Sequence, residues 1–520
     1  MATVVEWTKS LDVARLHADP SGVQEASTTF QALLFPGMST QTARLRYISL
    51  LAAARNYRMK LGSEVNVQLP LSEYIRRFEA LIAVSSVLHH MHDGNEPDGI
   101  VGRRFGRNMS HQETFELKTG LHNPPYNIYR GSLYNLGIFD TSSMSDPLYQ
   151  SAQLLGDAWD IEAAGTLGED IRKGILPTFI TRQTVAAIAS AFCVCRIPRG
   201  SMEQRELVRI LFAQQESSRL SVSFENEGAL ADHSRDYRSL AWRFLLELVL
   251  ASGNERLGNH HTLVYILTHN FVPSAEHPAL RLSLQTWRWI AARTFFERGW
   301  TQIFARTMQV LKQEKDGLSR QMLRQYLQED YVAEYQNEPI DKLMQEVKSN
   351  RHSSTWLLER FEGKQRRDYL LCICIGLIAA SEDKRQYTTP ILGRLWERGP
   401  IPFAREYVRL EQDIQSNARA STLWAAIAEE SLMQHLQIAL RKMSSGNPDS
   451  LLVDFDAGQW RIPEKSENVI PGAANGFTRL DIGLRWAQQL GLIESPSKDH
   501  FILIEAGLDC CMEWDSEQRS

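Results

Sequence analysis

The sequence predicts a mainly α-helical protein of several domains with a winged-helix segment at its C-terminal end. Three observations predict this. Apolar residues recur at helical spacing in most long segments, and clusters of Gly, Pro, Ser and Asn separate them. A chain of 520 residues is also longer than one ordinary core organises. The composition, 43% hydrophobic and 23% charged with 12 Trp, is that of a globular chain and excludes a disordered or fibrous one. The expected division is an N-terminal helical domain over 1–150, a central helical domain over 151–445 and a winged-helix domain over 451–520.

The N-terminal block carries helical patterns over Thr40–Leu61 and Leu71–His90, the second closed by the polar turn Asp93–Gly99. A Ser- and Asp-rich loop is expected at Asp140–Asp146. Asn123 and Pro124 offer a cap and a first position for a helix carrying Tyr126, Tyr129, Leu133 and Leu136. With an extended exit after Ile138, this makes a second, weaker helix-turn candidate near residues 100–145.

In the central block, Leu282–Lys312 places Trp289, Phe296, Trp300, Ile303 and Val310 on one stripe, and Gly299 marks a kink or a close helix contact. Further helices are expected over Ser239–Ala251, Leu357–Arg360, Arg366–Ser381 and Leu423–Lys442. No fixed-period repeat is seen, which argues against a regular solenoid. Ser444–Ser450 reads as a linker. Beyond it come a helix over Thr478–Leu490 stopped by Gly491, a polar tip at Ser495–Asp499, a strand over Phe501–Ile504 and a last helix near Leu508–Trp514. Helix, strand, polar wing, strand and helix is the order of a winged helix.

Several function classes lose ground. The longest apolar run, Tyr369–Ala380, is well short of the roughly 20 residues that span a bilayer. The N-terminal residues lack the basic and apolar regions of a signal peptide, so a cytoplasmic protein without membrane contact is expected. The six Cys fall in close pairs within apolar stretches, as Cys193/Cys195, Cys372/Cys374 and Cys510/Cys511. On helices, residues two apart diverge, so these read as buried free thiols, and neither metal nor cofactor is expected. No phosphate-binding loop, nucleophile elbow or His-Glu-x-x-His helix occurs, and the balance lies against an enzyme, with no catalytic residue assigned.

Charge patterning supplies the candidate contacts. Residues 451–520 hold six basic against twelve acidic side chains, a poor balance for an independent DNA binder, and protein contact is the preferred use of the winged helix. Between Arg281 and Lys312 there are six basic residues and one acid. Arg281, Arg288 and Arg306 share one helical face there, interleaved with Trp287, Trp289 and Trp300. They form a nucleic-acid or anion-binding candidate, weighed against a solvated flank of paired arginines. Arg103, Arg104 and Arg107, set between Gly102 and Gly106, form another, weighed against a structural loop. His89-His90-Met91-His92-Asp93 is the most metal-like string, in which His89 and His92 can meet on one helical face with a distant carboxylate to complete a site, although histidines also suit a helix C-terminus through its dipole. Arg256 and His261 match the loose spacing of some helical ribonucleases, and Asp454, Asp456, Glu464 and Lys465 approach a nuclease pattern without its spacing.

Three strings carry a resemblance. They are Leu34-Phe35-Pro36-Gly37-Met38-Ser39 followed by Arg44-Leu45-Arg46-Tyr47; Gly102-Arg103-Arg104-Phe105-Gly106-Arg107; and Tyr126–Leu133 ending Leu136-Gly137-Ile138. Together they resemble an uncharacterised bacterial family with a Leu-Phe-Pro-Gly start, an Arg-x-Arg-Tyr helix and a Gly-Arg-Arg turn. The resemblance covers residues 30–140 and implies a setting in phage-defence gene clusters, with no catalytic residues to carry over. Read physically, Arg44 and Tyr47 share a helical face that can anchor the Gly-Arg-Arg loop. The resulting expectation is a non-catalytic subunit of a multi-protein antiviral system. It would contact other proteins of that system, and DNA as a further partner. The alternatives are a stand-alone nucleic-acid-binding sensor or regulator and a divergent metal-dependent nuclease.

Overall fold

The computed structural model describes residues 31–510 except for 61–68, 92–97, 139–149, 160–164, 213–233, 269–277, 384–402, 445–449, 467–477 and a few short stretches. The protein is mainly helical, with three small antiparallel sheets among the described residues. Two compact units form. One draws its described residues from Asn259–Phe477 and the other from Gln31–Ser223, Glu227–Gly258 and Thr478–Ser520. The units therefore do not follow the three consecutive blocks expected from the sequence. The Asp140–Asp146 loop, His92 and most of the Ser444–Ser450 linker lie outside the described residues.

The first part of the discontinuous unit begins with α1 (Arg46–Lys60) and α2 (Leu71–His89). The α1 helix starts at Arg46 instead of Thr40, because Thr42 folds back in a turn in which its Oγ donates to Ser39 O at 2.8 Å. From Tyr74 to Leu88, α2 is buried almost all round, as the central helix of its unit must be. Next come α3 (Arg103–Ser110), β1 (Thr114–Glu116), α4 (Pro125–Asn135), α5 (Gln150–Ala158) and α6 (Gly165–Arg172). The β2 strand (Phe179–Thr181) pairs with β1 and leads into α7 (Arg182–Phe192), where the Thr181 side chain caps the first turn by accepting from Thr184 N. Then follow α8 (Met202–Leu211) and α9 (Ser234–Ser252).

The other unit opens with α10 (His260–Thr268) and the 36-residue α11 (Pro278–Gln313). After β3 (Leu318–Ser319) come α12 (Arg320–Val332), α13 (Ile340–Asn350), α14 (Ser354–Glu362), α15 (Arg366–Asp383), α16 (Phe403–Gln415) and α17 (Ala420–Ser444). The β4 (Asp454–Asp456) and β5 (Gln459–Arg461) strands complete a sheet in the order β3-β5-β4. Gly299 marks a close helix contact: a Cβ there would collide with the carbonyl of Tyr369 on α15. Reciprocally, a Cβ on Gly376 would lie 2.5 Å from Ala292 O on α11. Two glycines thus let α11 and α15 touch backbone to backbone.

The chain then returns to the first unit. Thr478 and Asp481 form a capping box at the start of α18 (Arg479–Gln489), and Gly491 takes φ +66° just past its end. The β6 (Ile493–Ser497) and β7 (His500–Leu503) strands form a hairpin, and residues 505–510 are helical. Trp486 is fully buried and its indole N–H donates to Thr42 O at 2.7 Å. Gln489 accepts from Leu45 N and donates to Ala43 O. Phe35 lies 1% exposed, edge-on to Trp242 of α9 and against Gly483 of α18. Phe35 and α18 are parts of one core.

Candidate functional site

The residues that the sequence singled out as anion contacts divide between the units. Arg103, Arg104 and Arg107 lie on α3, with Arg104 and Arg107 exposed and Arg103 3.8 Å from Asp98. Arg281, Arg288 and Arg306 lie along α11 as the spacing requires. Arg281 is exposed, Arg288 donates to Ile266 O, and Arg306 is held by Asp330 at 2.6 Å. The tryptophans between them do not offer stacking faces, because Trp287, Trp289 and Trp300 are at most 1% exposed and belong to the core. Asp456 faces Arg461 across the β4–β5 hairpin at 3.4 Å, and Arg256 and His261 belong to different units.

A different set of arginines converges. An open cleft of about 1270 Å³ is lined by Arg44, Arg46, Arg196, Arg199 and Arg485, with Asp98 and Glu494 as its acids. It is built by the residues around the start of α1, His89 at the end of α2, Asp98, the end of α7 with the segment that leaves it, and α18 with its hairpin. Its wall is held by the Arg-x-Arg-Tyr motif. Arg44 donates through Nε to Asp98 O at 2.6 Å, and the Tyr47 hydroxyl accepts from Val101 N at 2.8 Å. Those two bonds anchor the loop before Gly102, as expected from the sequence, although Arg44 precedes α1 and shares no helical face with Tyr47. Burial pushes the phenols of Tyr47 and Tyr129 up, so both stay neutral, and the Tyr129 hydroxyl accepts from Arg44 N at 2.9 Å.

Arg46 serves the opposite side. It is 4% exposed and forms a bidentate pair with Glu203, itself 1% exposed, at 3.2 and 3.4 Å. Its remaining donor reaches Cys193 O at 2.6 Å and Ser190 O at 3.3 Å. These are carbonyls at the C-terminal end of α7 that no further turn of helix satisfies. The guanidinium therefore ends α7 at Phe192, and Cys193 turns extended at φ −71°, ψ 135°.

That turn overrides the sequence argument about the cysteines. Cys193 and Cys195 do not follow one another on a helix. Cys193 is extended and the chain bends at Val194 and Cys195, which brings both thiols to the end of α2. The Sγ atoms of Cys193 and Cys195 and one ring nitrogen each from His89 and His90 all lie within 4.8 Å of one another. Val194 N donates to Ser86 Oγ at 3.3 Å, which ties the segment to the last turn of α2, and Arg44 Nη1 reaches Cys195 O at 3.5 Å. The two imidazoles stack at 4.7 Å and 16°. Nδ1 of His89 is buried without a hydrogen-bond partner. Cys195 N donates to Cys193 Sγ at 3.3 Å. Hydrogen bonding with Cys193 holds the Cys195 thiol below its ordinary range, with His90 and His89 acting in the same direction. The same bond and burial push Cys193 up.

His89 and Cys195 also line the cleft, so the cluster stands at its edge. His89 meets His90 here, and His92, the partner expected from the sequence, lies outside the described residues. The signal that could have found the cluster is Ile197-Pro198 shortly after Cys195, which argues against a helix continuing through both cysteines. No family model, curated protein or solved structure matches this chain.

Proposed function

We propose that the protein is a non-catalytic subunit of a multi-protein bacterial antiviral system, and that it contacts nucleic acid through the arginine-lined cleft. The resemblance of residues 30–140 supports the antiviral setting. The contact rests on one observation: Arg44, Arg196, Arg199 and Arg485 line a single open cleft whose acids are Asp98 and Glu494, the latter paired with Arg199 at 2.9 Å, while Arg46 is buried behind its wall. Guanidinium groups bind phosphate oxygens in pairs and stack on unpaired bases, which suits a short single-stranded stretch. The cleft is too small to enclose a duplex. In this reading the helix and hairpin of residues 479–503 are the winged-helix element, and they act as a wall of the cleft instead of reading a groove. Their docking supports that use. Leu480, Ile482, Leu484 and Trp486 are buried against their own unit, and the acidic balance of 451–520 weakens any separate hold on DNA.

Fluorescence anisotropy of a labelled single-stranded oligonucleotide with the full chain tests the contact. Binding should weaken as salt rises. Changing Arg196 and Arg485 together to Ala should lower the slope of log K against log salt by about 1.4, or roughly 0.7 per lost phosphate contact. Replacing Arg103, Arg104 and Arg107 by Ala should leave it in place. Absence of binding at low salt, or equal binding by the cleft variant, would refute the contact. Co-purification with the products of neighbouring genes tests the subunit role. Nucleic-acid binding without a recovered partner would point to a stand-alone regulator.

A further inference from the structure

We infer that His89, His90, Cys193 and Cys195 form a zinc site that fastens the end of α2 to the segment leaving α7. The inference rests on the meeting of the four side chains and is independent of what the cleft binds. Two thiolates and two imidazoles are a donor set that zinc favours, and four protein ligands leave no open position, as in a structural site. In a tetrahedral site with ordinary zinc–sulfur and zinc–nitrogen distances, neighbouring donor atoms stand about 3.3–3.8 Å apart. Here the four already lie within 4.8 Å, so an ion needs to draw them together by about 1 Å and open the imidazole stack.

Two further features support an ion. Nδ1 of His89 is buried without a hydrogen-bond partner, an arrangement that costs free energy unless something occupies it. The backbone around the cysteines is also already fixed. Arg46 holds Cys193 O, Arg44 holds Cys195 O, Ser86 holds Val194 N, and Cys195 N points at Cys193 Sγ. Such outer bonds are what orient ligands before an ion arrives. Zinc takes both sulfurs as thiolates, so affinity should rise with pH. Among the described residues this is the one cluster of at least three His, Cys, Asp or Glu with donors gathered this closely.

The test uses the full chain, purified without metal-chelate resin in reducing buffer. Elemental analysis should find one zinc per chain. After chelation, cobalt(II) should restore a thiolate-to-cobalt charge-transfer band and the visible bands of tetrahedral cobalt. Both should be lost in Cys195→Ser and in His90→Ala, and kept in Cys510→Ser. Should the site variants fail to fold, a mercurial titration of the wild-type chain, read with a zinc indicator, should release one zinc as the thiols react. A chain that holds no zinc as purified and none after zinc addition would overturn the inference. So would cobalt bands unchanged by Cys195→Ser.

Discussion

Glu79 is a carboxylate that the fold keeps nearly dry. It is 1% exposed and accepts the N–H of Tyr126 in the first turn of α4, the helix terminus that favours negative charge. Burial nevertheless dominates and raises its pKa to about 7 from an ordinary 4.5. Because the folded value lies above the unfolded one, the native state binds the extra proton between those limits. Stability should therefore fall as pH climbs from about 4.5 to about 7, by up to about 3 kcal/mol in all. Glu79→Gln keeps an acceptor and loses the titration. Its denaturation midpoint should exceed that of the parent near pH 8, and the two should converge below about pH 5. Parallel pH profiles for the two chains would rule this account out. Arg46 illustrates the opposite case at the same scale. Its charge is matched by Glu203, and its spare donor satisfies carbonyls that would otherwise be stranded at the end of α7. The arginine and the cysteines are about 147 residues apart in the chain, so their relation was not legible from local spacing.

At the scale of elements, helices were the most readable feature, because apolar periodicity is a local property. Leu71–His90 became Leu71–His89, Leu282–Lys312 became Pro278–Gln313, and Thr478–Leu490 became Arg479–Gln489 with its Gly491 stop. What periodicity did not contain was the partner of each face. The arginine stripe of α11 illustrates the gap. The spacing was right, yet Arg306 is used by Asp330 and the intervening tryptophans face inward. The contact between α11 and α15 gives a sharp prediction. A methyl group on Gly376 meets Ala292 O at 2.5 Å and Phe296 Cβ at 2.8 Å, both fixed by the core. Gly376→Ala should destabilise the protein by about 1–3 kcal/mol through overpacking, despite the better helix propensity of Ala. An unchanged melting temperature would show that the two helices separate more easily than their packing implies.

At the scale of the whole molecule, chain order and spatial order part company. Residues from Thr478 onward share a unit with the segment that begins at Gln31, and the strands at 454–461 belong to the other unit. The α18 helix supplies Trp486 and Leu484 to a core that also contains Phe35 and Trp242. A chain ending at residue 477 should therefore expose that core. It should bind a hydrophobic dye, and protease should cut within residues 31–258 far faster than in the full chain. Equal resistance of both chains would mean that the last segment is dispensable for the unit. No helix among the described residues is long and apolar enough to cross a membrane.

From the sequence alone followed the mainly helical character, most helix limits and the hairpin after α18. All of these depend on neighbours a few residues apart. The cleft and the cysteine–histidine cluster were decided only in three dimensions. Each gathers groups from distant segments, and the cluster exists because a guanidinium from α1 replaces the next helical turn after Phe192. Whether two cysteines face together or apart depends on that backbone choice, and a buried charge from elsewhere in the chain makes it.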